Sequence, residues 1–167
     1  MNAFFVRCMK LVFLFVFLVL SGCAIHSGAG GEFQSHGSQW QGRLMLKVHT
    51  DPAQAFSADF DLQGDAQAGS LTFFTPLGST AARLDWSEQG AQLQTTGEPQ
   101  QFESLEALTL QTIGTVLPMA SLFEWLKGMD PVTPGWRADL RDLSSGRLHA
   151  QRLAPEIPAD LKIILDR

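Results

Sequence analysis

From residue 40 onward, apolar and polar positions alternate with period two in five successive stretches. Trp40–Val48 sets Trp40, Leu44, Leu46 and Val48 against Gln41, Arg43 and Lys47. Phe56–Leu62 sets Phe56, Ala58, Phe60 and Leu62 against Ser57, Asp59 and Asp61. Gly69–Thr75 offers Leu71 and Phe73 on one face, with Thr72 and Phe74 on the other. Thr80–Trp86 places Thr80, Ala82, Leu84 and Trp86 opposite Ala81, Arg83 and Asp85, and Ala91–Thr95 adds a short alternation through Leu93. Period two with one polar face predicts half-buried antiparallel strands. The connectors, rich in Gly, Pro, Asp and Ser, supply the turn residues of a meander.

The period then lengthens. Across Phe102–Leu117, Leu105, Leu108, Ile113 and Val116 fall near helical spacing, with Ser104 as N-cap and Pro118 as the stop. Met119–Lys127 predicts a second helix with Met119, Leu122, Phe123 and Leu126 on one stripe and Gly128 just past its end. Trp136–Leu140, Arg147–Leu153 and Leu161–Leu165 read as three more short strands. Two helices apolar on one face must bury it against the sheet. The fold class is therefore α+β, mainly β: a curved antiparallel sheet with a helical pair against its concave side.

The region before residue 39 belongs to another pattern. Residues 1–22 hold 17 apolar residues, and Leu11–Leu20 is an unbroken apolar run of ten behind Arg7 and Lys10. A spanning helix needs about 20 apolar residues, so this run reads as a signal segment. Leu20-Ser21-Gly22-Cys23 resembles the bacterial lipobox, which implies diacylglycerol on the Cys23 thiol, cleavage before Cys23 and acylation of the new N-terminus. Ordinary secretion with cleavage after Ala24 is the competing reading. Ala24 stands where inner-membrane lipoproteins typically carry Asp, and by that resemblance the anchor is sorted to the outer membrane. Residues 23–38 are rich in Gly and Ser and are expected to act as a flexible tether to a domain at 39–167.

Composition sharpens this division. The chain carries a net charge of −5, but Arg7 and Lys10 are the only charges in the first 22 residues, so the remainder stands at −7. An acidic body argues against nucleic-acid binding, which needs a basic face. With two cysteines, one of them Cys8 inside the signal segment, no disulfide framework is expected. No G-x-S-x-G occurs, and His26, His36, His49 and His149 form no catalytic or metal-ligand spacing. Asp59, Asp61 and Asp65 superficially suggest a calcium loop, but its twelfth position is Ser70, and alternation already places these acids on a solvent face. No catalytic residue, metal or cofactor is expected; the one covalent group is the lipid on Cys23.

The apolar inventory leaves two possibilities open. A concave sheet bearing Trp40, Phe60, Phe73, Leu84 and Trp86, roofed by Leu108, Ile113, Leu122 and Trp125, either closes into a packed core or leaves a dry cavity for hydrocarbon. Thr75-Pro76-Leu77-Gly78-Ser79 is a turn with a large apolar residue at its tip. Leu77 either tucks under the sheet edge or stands out as a membrane-touching tip, where its burial is worth about 1.5–3 kcal/mol.

Together these segments resemble the LolB family of outer-membrane lipoprotein receptors. The resemblance rests on the lipobox, on Trp40-x-Gly42-Arg43-Leu44, and on Phe73-Phe74-Thr75-Pro76-Leu77-Gly78-Ser79-Thr80. It continues in Ile113-Gly114-x-x-Leu117-Pro118 and Leu122-x-x-Trp125-Leu126-x-Gly128. It implies an incomplete antiparallel barrel with a helical lid over an apolar cavity. It further implies a monomeric receptor, lipid-anchored at the outer membrane and facing the periplasm. Such a receptor accepts lipoproteins from the periplasmic carrier LolA and inserts their acyl chains into the inner leaflet of that membrane. The family's protruding loop residue maps onto Leu77. The segment from Met129 to Gly135 is shorter than in many members, so a hairpin or helix is expected to be missing there. A lipid-anchored structural or assembly protein with a filled core, or a carrier of another small apolar ligand, is the alternative.

Overall fold

The computed structural model describes residues 38–153 and 157–166. The signal segment, Cys23, and the tether with His26 and His36 lie outside the described residues, except that Ser38 already belongs to the first strand. The elements run β1 (Ser38–Val48), β2 (Gln54–Gly64), β3 (Gly69–Phe74), β4 (Thr80–Ser87), β5 (Gly90–Gln94) and β6 (Gln100–Phe102). Then come α1 (Leu105–Ile113), α2 (Met119–Leu126), β7 (Trp136–Asp139), β8 (Arg147–Arg152) and β9 (Ala159–Leu165). All nine strands form one antiparallel sheet in the order β6-β5-β4-β3-β2-β1-β9-β8-β7, curved but not closed. The helices sit on its concave face.

Register keeps the apolar sets together. Trp40 faces Leu62 and Leu44 faces Ala58 across β1–β2, while Leu44 faces Ile163 and Leu46 faces Leu161 across β1–β9. A one-residue slip would turn every one of these side chains to solvent. Gly42 makes the β1–β9 approach possible: its φ is +153°, and an added Cβ would collide with the Ile164 carbonyl oxygen. Gly69 does the same for an aromatic. It lies opposite Trp86, whose ring lies across it while the indole Nε1 donates to the Asp65 carbonyl at 3.0 Å.

Three expectations need correction. The first helix does not run from Phe102 to Leu117: Gln100–Phe102 pairs with β5 as an edge strand, and the helix occupies only Leu105–Ile113. Ser104 caps it as expected, accepting from the Ala107 N–H at 3.2 Å. It ends at Gly114 (φ +70°), whose N–H donates to Leu110, well before Pro118. Pro118 heads α2 instead of stopping α1; its carbonyl accepts from Leu122 at 2.8 Å. Finally, Thr80 does not share the face of Ala82. The β3–β4 register pairs Phe73 with Ala82 but Phe74 with Thr80, so Ala81 is the extra residue of a bulge and Thr80 turns outward with Phe74.

α2 is the element that fills the core. Met119, Leu122, Phe123, Trp125 and Leu126 are all buried, so two adjacent faces of one short helix are covered. Phe123 lies 5.6 Å from Trp40 and 6.2 Å from Trp86, and Trp125 lies 6.3 Å from Trp136 of β7. α1 buries less: Leu105, Leu108 and Thr109 point inward, while Leu110 is exposed. Among the described residues, no helix is long and apolar enough to cross a membrane.

Candidate functional site

Between α1 and the β3–β4–β5 part of the sheet lies an apolar cavity of about 190 Å³. Phe73, Leu84 and Trp86 form its sheet side, with Leu71, Ala82 and Leu93 beside them. Leu105, Leu108 and Ile113 of α1 form the roof, and Leu117 and Met119 close the side toward α2. Three threonines also line it, and each turns its polar atom away. Thr109 donates to the Glu106 carbonyl at 3.1 Å and Thr112 to the Leu108 carbonyl at 2.7 Å, while Thr95 accepts from the Gly97 N–H at 3.5 Å. Only methyl groups remain to face the space, and no ionisable side chain lines it. Such a cavity gives water no partners and favours hydrocarbon.

Five of the nine residues assigned from sequence to the cavity line it: Phe73, Leu84, Trp86, Leu108 and Ile113. Trp40, Phe60, Leu122 and Trp125 do not. They belong to the packed core on the other side, because α2 seats its aromatic residues there and fills the space that alternation alone left open. Phe56, Ala81, Thr95 and Thr112 line the cavity and were not singled out. Alternation had placed Phe56 on the inner face, but only the bulge brings Ala81 and Ala82 to the cavity together.

The β3–β4 hairpin stands clear of the body. The Gly78 N–H donates to the Thr75 carbonyl and the Thr75 N–H to the Ser79 carbonyl, both at 2.8 Å, while the Thr75 hydroxyl accepts from Ser79 at 3.2 Å. Pro76 presets the backbone for the first corner of the turn, and Gly78 supplies the left-handed third position at φ +81°. That leaves Leu77 at the crest, 94% exposed. It does not tuck under the sheet.

Several charged groups pair with one another on the outer face, whereas Arg152 is buried and its Nε donates to the Ile157 carbonyl at 2.8 Å. Arg43 pairs with Asp59 and Arg83 with Asp85, both at 2.8 Å, and Gln39, Gln41 and Gln63 all donate to Asp61. Of the acids that suggested a calcium loop, Asp59 and Asp61 are thus sheet-surface partners, and Asp65 accepts from the Gln67 and Ala68 N–H groups in the β2–β3 turn. His49 and His149 meet the same carboxylate, Asp160, at 2.7 and 3.4 Å. Hydrogen bonds from Gln151 and His49 hold Asp160 at a pKa of about 2, and those from Arg141 hold Asp139 at about 2. Among the described residues, no cluster of side chains could hold a metal ion.

The fold is thus an open antiparallel half-barrel, lidded by a short helix over an apolar cavity that no ionisable side chain lines. The LolB family model, described as outer membrane lipoprotein LolB, matches residues 38–153. The chain belongs to the LolB family. It is 35% identical over 97 residues to the outer-membrane lipoprotein LolB of Azoarcus sp. strain BH72, covering 58% of this chain and 48% of that one. It is 26% identical over 130 residues to its counterpart in Chromobacterium violaceum (72% and 68% covered) and 29% over 136 residues to that of Ralstonia nicotianae (76% and 64%). The chain thus spans about half the length of the Azoarcus relative.

Proposed function

We propose that this protein is a lipoprotein receptor of the outer membrane, which takes acylated proteins from the periplasmic carrier LolA and releases them into the inner leaflet. The observation that carries the reading is the pairing of a wholly apolar cavity with a leucine held fully in solvent on an adjacent hairpin. Each buried acyl methylene contributes about 0.8 kcal/mol, so a difference in affinity between two apolar cavities moves the cargo without nucleotide or catalytic groups. The protein is non-catalytic on this reading, works as a monomer and needs no cofactor.

The cavity's size says how the chain is received. A cavity of about 150 Å³ holds a molecule the size of benzene, and drug-sized ligand sites run from about 300 Å³ upward. At about 190 Å³ this cavity admits a short stretch of an acyl chain. Full acceptance therefore displaces α1. The incoming methylenes take over the contacts that Leu105 and Leu108 make with the sheet, so little apolar surface is exposed on the way.

Residues 1–22 serve as the signal peptide, Cys23 carries the lipid and residues 23–38 tether the domain at 39–167, with Leu77 entering the leaflet at delivery. Depleting the protein in its host tests the whole reading. Outer-membrane lipoproteins should then accumulate in soluble form on their carrier. Continued delivery to the outer membrane would overturn it in favour of a structural role.

A further inference from the structure

The cavity is closed at one end and open at the other. Leu84, Trp86, Leu105 and Leu108 in its wall are buried, whereas Phe56, Ala81, Thr95 and Thr112 are exposed. Phe56 is unusual among them. It has the inward parity of Phe60 and Leu62 on β2, lies edge-on to Phe73 at 5.0 Å and 81°, and is still 41% exposed.

Topology gathers these four residues at one end of the sheet. β2 begins five residues before Asp59, its first residue to pair with β3, so Phe56 lies beyond that ladder, and Ala81 is the bulge just inside the start of β4. Thr95 follows the last residue of β5, and Thr112 belongs to the last turn of α1. The Leu77 hairpin springs from this same end, since β3 stops at Phe74 and β4 starts at Thr80.

We propose that this opening is the portal for the acyl chain and that Phe56 is its movable leaf. The chain enters and leaves between Phe56, Ala81, Thr95 and Thr112, and emerges beside Leu77, where the lipid is met. The bulge suits this role because it sets two alanines, whose side chains end at Cβ, in the same lining as the Phe56 ring. With the ring down on Phe73 the cavity is shielded from water; with it swung outward the way to Phe73 is clear. The inference rests on the receptor reading and adds to it the route and the residue that gates it. Phe56→Ala is expected to speed entry and exit alike by about three- to tenfold, the factor one edge-to-face aromatic contact is worth, with little change in affinity.

The test places a photoreactive phenylalanine analogue at Phe56, Ile113 or Gln41 of the full-length protein, in cells whose lipoproteins carry radioactive palmitate. Labelled adducts of higher mass are expected from Phe56 at the portal and Ile113 in the roof, and not from Gln41 on the outer face. Adducts from Ile113 with none from Phe56 would overturn the portal and leave the receptor reading standing. Adducts from neither would overturn both, and adducts from Gln41 as strong as those from Phe56 would overturn the portal.

Discussion

Replacing Leu77 with Glu separates membrane contact from folding. The side chain is 94% exposed, and the hairpin's hydrogen bonds run between Thr75, Gly78 and Ser79 without it. The substitution is therefore expected to change stability by less than about 0.5 kcal/mol. Delivery is another matter. Burying one leucine in hydrocarbon is worth about 1.5–3 kcal/mol, and each 1.4 kcal/mol is a factor of ten. Loss of that contribution slows transfer to the bilayer roughly ten- to a hundredfold, and the carboxylate adds a desolvation cost in the same direction. The assay follows two steps with one preparation: loading from carrier-bound lipoprotein, then release into phosphatidylcholine vesicles. Loading should match that of the unaltered protein, because Leu77 is outside the cavity lining, and release should fall at least tenfold, with Leu77→Ala between the two. Release at the unaltered rate would refute the reasoning. So would impaired loading with an unchanged melting temperature, which would place Leu77 in acceptance instead of delivery.

Two further outcomes follow from the cavity and the outer face. Ala82 lines the cavity opposite Phe73, so Ala82→Leu should fill part of it, raise stability by about 0.5–2 kcal/mol in thermal melts and reduce loading; a lower melting temperature would show that the space is not free. Asp160, held near pKa 2 by Gln151 and His49, is stabilised as the anion, so its contribution is present above the ordinary carboxylate range near pH 4 and is lost as pH falls through about 2. Asp160→Asn should accordingly melt below the unaltered protein at neutral pH, with the gap closing toward pH 2; a gap that widens in acid would contradict this.

Period-two alternation was enough to place β1 to β5, because each strand has one polar face and its turns carry Gly, Pro or Asp. It also placed the hairpin crest, although only the structure decides that Leu77 stays in solvent. Long-range consequences were beyond it. Nothing local in Ala159–Leu165 says that this strand inserts between β1 and β8, since that choice is made by complementary inner faces far apart in the chain. The bulge at Ala81 is equally silent, as two small residues fit either face of a strand. Helical spacing carried the first helix too far because Val116 and Leu117 keep an apolar rhythm after Gly114 has ended it. The division of apolar residues between cavity and core also escaped the pattern. Trp40 and Trp86 look alike in sequence, and both meet Phe123. Trp86 also borders the space under α1, whereas Trp40 does not.

The outermost strands, β6 and β7, are only three and four residues long and do not pair with each other. In a closed barrel, strand number and stagger dictate the girth, and widening it means tearing a ladder along its whole length. Here the circumference has a seam. Small changes of twist shared among eight strand pairs can spread the walls with every ladder intact. Under the proposed function, how far the seam gapes would set the length of acyl chain the sheet can enclose. Edges this short also give a foreign strand little to grip, so an open seam need not be a site of aggregation.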